Sequence, residues 1–286
     1  MKAIGLIVLV LGLLGPQSLW AAERALVQGE LISENSVATP GRTLQLGIAL
    51  DIAPGWHIYW LHPGDAGLPT RVDWTLPESV TLEEVHWPAP TRFLSFGVIE
   101  SFGYHSKIVI PVTVFVEPDA VGPITLQARV SWLGCRDDCV PGVTDVALTL
   151  PTAGVSARQV DAARIEKGLA RVPHALQRSD PFKLVIEGPS SSHPGESIRV
   201  GVRVKPRRGA GTLRLEGLYV HPNEGLQVSR EERRSELAIR VPLSIPEESK
   251  LAIGSRLAQG VAEVHAQSEK GETTYYIAVD FPAYLK

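Results

Sequence analysis

The segment ITLQARVSWL, residues 124–133, alternates apolar and polar side chains and decides the fold class of this chain. An alternation with a period of two is typical of a β-strand that buries one face. Similar segments lie on both sides of it between turns rich in proline and glycine; they are TLQLGIALDI (43–52), WHIYWL (56–61), KIVIPVTVFVE (107–117) and DVALTLP (145–151). Several short strands at this spacing predict an immunoglobulin-like β-sandwich.

Strand-like segments resume after residue 181 and continue to the end of the chain, while residues 156–173 follow a period closer to that of a helix. With 286 residues, the chain is long enough for two domains. We therefore predict an all-β protein made of two tandem immunoglobulin-like sandwiches. The first covers residues 23–152, a short helical linker covers 153–180, and the second sandwich covers 181–286.

The N-terminus has the order of a secretory signal peptide. Lys2 precedes an apolar run over residues 3–14, a Gly-Pro break follows at residues 15–16, and small residues stand at Ala21 and Ala22. The run is shorter than the ~20 residues that a membrane-spanning helix needs. The interpretation is a signal peptide over residues 1–22 and export to a compartment where cysteines can oxidise.

The net charge of −3 and the mixed distribution of charges give no reason to expect nucleic acid as a partner. The motifs of hydrolases and kinases and the usual zinc signatures are also absent from the sequence. Chemistry is therefore expected from the cysteines, Cys135 and Cys139, which are the only two in the chain.

Three interpretations of this Cys-x3-Cys pair are open. As a structural disulfide it would close a very small loop and add only ~2 kcal/mol in the chain-entropy model. As a redox pair it would lie at an exposed turn where a partner thiolate can reach it. As two thiolates it could bind Cu(I), although no histidine has a recognisable metal-ligand spacing with it. No cofactor or resident metal is expected, with Cu(I) as the alternative ligand.

Four segments together resemble the periplasmic N-terminal domain of the DsbD/ScsB family of thiol:disulfide interchange proteins; they are PGWHIYWLHPGDAGLPTRVDW, WPAPTRF, FGYHSKIVIPV and VSWLGCRDDCVPG. The Cys-x3-Cys spacing is similar to that of the ScsB branch, which is associated with suppression of copper sensitivity. The resemblance covers residues 25–155, and the second half is compatible with that branch. The membrane domain and the thioredoxin-like domain of full-length family members are missing. Two explanations stay open: a stand-alone ectodomain that meets its membrane partner in trans, or a truncated chain.

The resemblance implies that Cys135 and Cys139 are the redox pair, with Cys139 attacked first. It also implies a lid that shields the disulfide, and residues 92–105 match its place. Phe93, Phe96 and Tyr104 are the shielding candidates, with core packing as the alternative for each. In WHIYW the alternation puts His57 and Tyr59 on one face, and Tyr59 is expected near the disulfide. Asp137 and Asp138 are adjacent carboxylates that disfavour a nearby thiolate.

The resulting expectation is a periplasmic thiol-disulfide oxidoreductase. It would accept electrons from a membrane-embedded electron-transfer protein and pass them to periplasmic oxidoreductases of the thioredoxin fold. The alternative is a periplasmic copper-binding or chaperone module that uses the same cysteines and serves copper tolerance.

Overall fold

A computed structural model describes residues 25–95, 97–152, 157–223, 226–229 and 231–286. The predicted signal peptide, residues 1–22, lies outside the described residues, and so does the lid candidate Phe96. The described part contains twenty strands and one helix.

The first half of the chain forms ten strands. They are β1 (Val27–Ser33), β2 (Arg42–Ile52), β3 (His57–Gly64), β4 (Arg71–Thr75), β5 (Val80–Val85), β6 (Thr91–Ser95), β7 (Ile99–His105), β8 (Lys107–Val116), β9 (Ile124–Cys135) and β10 (Cys139–Leu150). They assemble into a sheet of four strands in the order β1-β2-β8-β5 and a sheet of six. The larger sheet has the order β10-β9-β3-β7-β6, with β4 paired to β9.

Apolar side chains from both sheets form one core in the first half. On β9 the burial pattern alternates over Ile124, Leu126, Ala128 and Val130, which confirms the strand with one buried face that the opening segment predicts. On the facing sheet Leu46, at 0 % exposure, is one of the central residues of the same cluster. The alternation therefore brings the apolar faces of the two sheets together, as in a β-sandwich.

After residue 157 the chain forms one helix and ten more strands. They are α1 (Ala162–Leu169), β11 (Phe182–Glu187), β12 (Ser191–Ser192), β13 (Ser197–Pro206), β14 (Thr212–Pro222), β15 (Gln227–Val228), β16 (Glu232–Ser235), β17 (Ala238–Ser244), β18 (Ala258–Ser268), β19 (Gly271–Asp280) and β20 (Tyr284–Leu285). One sheet has the order β11-β13-β17-β15 with β16 on β17, and another has the order β14-β18-β19; β12 and β20 form a parallel pair.

The second half builds its own apolar cluster, in which Leu215, Val264 and Ile277 are fully buried. The all-β class is thereby confirmed. The boundaries predicted for the leader, the two sandwiches and the linker stay predictions.

The helix is shorter than the periodic stretch 156–173. Its buried residues are Ile165 and Gly168, and Ile165 packs against Ile32 and Ala49 on the outer face of the β1-β2-β8 sheet. Val160 and Leu169, two apolar residues of this periodic stretch, are exposed. One turn of apolar contact is enough to dock so short a helix, because the sheet supplies the remaining apolar surface.

The two halves share a contact surface. Tyr219 on β14 and Val261 on β18 belong to the core cluster of the first half. Tyr219 packs edge to face on Phe102 of β7, with ring centroids 5.4 Å apart. His62 and His221 stack with parallel rings at 4.1 Å. The strands β3 and β7, which hold residues of the candidate site, are therefore also the strands that meet the second half.

Candidate functional site

The two cysteines close the hairpin of β9 and β10. Cys135 and Cys139 form the last cross-strand pair of this hairpin, their Cα atoms lie 4.2 Å apart, and a disulfide bond joins them. Within the turn, the backbone N–H of Arg136 donates to the carbonyl oxygen of Asp138 at 3.1 Å. Cys135 is buried, at 4 % exposure, whereas Cys139 is exposed. The two sulfur positions therefore differ in their access to a partner.

Tyr59 holds the buried end of the disulfide. Its hydroxyl donates a hydrogen bond to Sγ of Cys135 at 3.3 Å. The position follows from strand register: His57 pairs with Cys135 across β3 and β9, and alternation places the side chain of Tyr59 on the same face as that of His57. Burial raises the pKa of Tyr59, which keeps the hydroxyl protonated as a donor.

The backbone of Gly67 packs closely against the ring of Tyr59 and fixes its position. Gly67 has a φ of +109°, and a Cβ there would lie 2.3 Å from Cε1 of Tyr59. Only glycine leaves room for the ring in this position. In addition, Thr70 donates a hydrogen bond to the carbonyl oxygen of Tyr59 at 2.5 Å. Ring and backbone of Tyr59 are both held in place beside the disulfide.

Two histidines extend the site along the same face. His57 pairs with Cys135 on one side and with His105 of β7 on the other. The rings of His57 and Tyr59 meet edge to face at 5.3 Å. Burial, with a smaller contribution from the charge of His105, lowers the pKa of His57, so the ring is neutral at neutral pH. Neither histidine was among the site residues predicted from the sequence, although the WHIYW alternation already placed His57 with Tyr59.

The predicted lid residues Phe93 and Tyr104 lie in different parts of the structure. Phe93 on β6 stacks on His57, the cross-strand neighbour of Cys135, at 4.4 Å and an interplanar angle of 20°. Tyr104 pairs with Ile58, on the face opposite to that of His57, and is 1 % exposed within the core. Its hydroxyl donates to the carbonyl oxygen of Pro88 at 2.7 Å. Tyr104 is therefore a core residue. Core packing was the alternative to a shielding role that the sequence left open for this residue.

Asp137 and Asp138 are exposed in the turn between the cysteines. Nε of Arg136 lies 3.0 Å from Oδ2 of Asp137, and the Arg136 guanidinium also lies over the ring of Trp56, 5.1 Å from its centroid. Arg136 thus offsets part of the acidic charge at the turn. Charged side chains of the turn thus lie near the exposed Cys139, and aromatic side chains lie near the buried Cys135.

Within the described residues no group of three or more His, Cys, Asp or Glu side chains is arranged to bind a metal ion. The same part of the chain has no helix that is long and apolar enough to span a membrane.

The sequence of residues 23–151 matches the family model described as the N-terminal part of the thiol:disulfide interchange protein DsbD. No curated protein matches the chain. Among solved structures, the chain is similar in fold to the N-terminal periplasmic domain of ScsB from Proteus mirabilis, with a TM-score of 0.55 and 15 % identity, over 88 % of this chain and 92 % of that one.

Two other solved structures are matched at much lower similarity. Domains 5–6 of the S-layer protein SbsC give a TM-score of 0.20 at 11 % identity, over 88 % of this chain and 96 % of that one. The major pilin subunit BcpA of Bacillus cereus, in a D312A variant, gives 0.27 at 8 %, over 90 % of this chain and 68 % of that one. Scores this low carry no argument about the fold.

The structure is an all-β protein with a disulfide at the end of the β9–β10 hairpin, and the family match supports a thiol:disulfide interchange module. Residues 23–151, slightly less than half of the chain, match the family model of the N-terminal part of DsbD, and the fold of the chain is similar to that of the ScsB N-terminal domain.

Proposed function

We propose that this protein is a periplasmic electron carrier whose Cys135–Cys139 pair cycles between disulfide and dithiol. It accepts two electrons from a membrane-embedded electron-transfer protein and passes them to periplasmic oxidoreductases of the thioredoxin fold. The observation that supports the proposal most directly is the asymmetry of the disulfide. Cys139 is open to a partner, while Cys135 lies behind Tyr59 and accepts its hydrogen bond.

The asymmetry supports one order of the exchange. A donor thiolate attacks Sγ of Cys139, a new intermolecular S–S bond forms, and the Cys135–Cys139 bond breaks with Cys135 leaving as a thiolate. The Tyr59 hydroxyl already points at this sulfur and stabilises the charge that develops on it. The second thiolate of the donor then attacks the donor sulfur of the mixed disulfide. The donor leaves as a disulfide, and the two electrons stay on Cys135 and Cys139.

Delivery follows the same path in reverse. The Cys139 thiolate attacks a disulfide of the acceptor and forms a mixed disulfide, and the acceptor's other sulfur leaves as a thiolate. Cys135 then attacks Sγ of Cys139, which restores the internal disulfide and releases the reduced acceptor. The short hairpin keeps the two sulfurs within reach of each other throughout.

Single substitutions of the two cysteines test this order. In Cys135→Ser the exposed Cys139 can attack, but nothing resolves the mixed disulfide, so this variant should accumulate an adduct with an oxidised thioredoxin-fold oxidoreductase. In Cys139→Ser the remaining thiol is buried, and the adduct should form roughly tenfold more slowly. The adducts are quantified by mass spectrometry after acid quenching, with the double Cys→Ser protein as the blank.

Two results would contradict the proposal. Equal trapping by both single variants would show that burial of Cys135 does not set the order of attack. The absence of any adduct, together with tight one-to-one binding of Cu(I) to the reduced protein that either single variant loses, would replace electron transfer by copper binding.

A further inference from the structure

The hairpin formed by β6 and β7 turns one face toward the disulfide. Phe93 lies on this face, stacked on His57, which is the cross-strand neighbour of Cys135. The ring of Phe93 also meets that of His105 edge to face at 6.0 Å. Movement of this hairpin would therefore uncover the aromatic side of the site.

The opposite face of the same hairpin is bonded to the second half of the chain. Arg92, the residue before Phe93, reaches Oε2 of Glu231 with Nη2 at 2.6 Å. Its guanidinium lies over the ring of Tyr219, 5.7 Å from the centroid. Phe102, paired with Arg92 across the hairpin, contacts the same tyrosine ring. Alternation along β6 thus places the contact with the site and the contact with the second half on adjacent residues.

The charges in this contact are partly removed from water. Side-chain exposure is 26 % for Arg92, 10 % for Glu231 and 13 % for Glu100, whose Oε1 lies 3.2 Å from Nε of Arg92. Burial works against the charge of Arg92, but the hydrogen bond and charge of Glu231 outweigh it and raise the pKa above its ordinary value. A charge-assisted hydrogen bond in such surroundings is stronger than one at an open surface. Its loss leaves the Glu231 carboxylate with the more distant Arg233, whose Nη2 lies 3.9 Å from Oε1.

We propose that Arg92 is a positioning residue that fastens the β6–β7 hairpin to the second half through Glu231 and thereby keeps Phe93 stacked on His57, the residue next to the disulfide. The second half of the chain, which has no cysteine, then limits the access of thiols to the redox pair. This inference rests on the proposed function, because access matters only if thiols react there.

The experiment measures the rate at which dithiothreitol reduces the disulfide of the full chain. Arg92→Gln and Glu231→Gln break the contact from opposite sides and should each raise the rate roughly tenfold. Arg92→Lys keeps the charge and should restore most of the protection. The matched control is Arg129→Gln, which breaks an exposed ion pair with Asp145 on the β9–β10 hairpin and should leave the rate unchanged.

A double variant separates positioning from a general loss of stability. If Arg92 acts through Phe93, Phe93→Ala should raise the rate by itself, and Arg92→Gln should add little in that background. A full tenfold effect of Arg92→Gln in the Phe93→Ala protein would overturn the inference, as would rates for Arg92→Gln and Glu231→Gln equal to that of the control. Failure of the folded wild-type protein to react with the thiol would instead contradict the proposed function.

Discussion

The two halves of the chain have the same strand order and differ where the chemistry lies. The order β1-β2-β8-β5 in the first half corresponds to β11-β13-β17-β15 in the second, and β3-β9-β10 corresponds to β14-β18-β19. The first hairpin ends at the Cys135–Cys139 disulfide. The equivalent hairpin ends at Ser268 and Gly271 and has Glu269 and Lys270 in its turn.

A second difference lies beside the equivalent strands β3 and β14. In the first half β3 is also paired with β7, which carries the hairpin partner β6, whereas the described part of the second half pairs β14 only with β18. Instead, Tyr219 of β14 packs on Phe102 of that hairpin. The same strand order therefore carries a thiol site in the first half and contacts the hairpin beside that site in the second half.

The largest expected effect comes from shortening one fully buried leucine in the core of each half. Leu126→Ala on β9 and Leu215→Ala on β14 each remove a fully buried leucine and should cost about 3–5 kcal/mol of unfolding free energy. All tryptophans of the described residues lie in the first half, so tryptophan fluorescence during urea unfolding follows that half. Since Tyr219 and Val261 belong to the first core, both variants should shift the tryptophan-detected midpoint. An unshifted midpoint in Leu215→Ala would show that the halves unfold independently.

A smaller effect concerns the hydrogen bond to the buried sulfur. Tyr59→Phe keeps the ring and removes the donor to Cys135, so reduction of the disulfide by dithiothreitol should slow about tenfold. Tyr104→Phe is the matched control: it removes the hydroxyl that is bonded to Pro88 inside the core. The control should lose about 1 kcal/mol of unfolding free energy and keep its exchange rate. Equal rates for the two variants would rule out a role of Tyr59 in the exchange.

A third effect is the pH dependence of the contact between the halves. Burial, reinforced by the neighbouring His62, lowers the pKa of His221 to about 4, while Asp280 opposes the shift. The unfolded chain, with a histidine pKa of about 6.5, takes up this proton first, so stability should fall as the pH drops from about 6.5 to 4. The slope from one such group is at most about 1.4 kcal/mol per pH unit.

His221→Gln should flatten this part of the stability curve, measured by urea unfolding at a series of pH values. His193→Gln replaces an exposed histidine of the second half and serves as the control. A curve for His221→Gln that is as steep as that of the control would show that protonation of His221 is not linked to unfolding.

Much of the fold could be predicted because a strand with one buried face shows an alternating pattern of apolar and polar residues in the local sequence. The alternation over residues 124–133 persists as alternate burial of Ile124, Leu126, Ala128 and Val130. The same alternation placed Tyr59 and His57 on one face. The helix was harder to predict, because only one turn of it touches the sheet and Leu169, its other large apolar residue besides Ile165, is exposed.

The sequence by itself determined the all-β class, the position of the cysteine pair and the resemblance to the DsbD/ScsB family, because these depend on residues that are close together in the chain. Only the tertiary structure decided that Cys135 is buried and Cys139 exposed, that Tyr104 lies in the core, and that Arg92 meets Glu231. These contacts join residues far apart in sequence, and strand register and the packing of one half on the other set them. No local pattern records such a pairing.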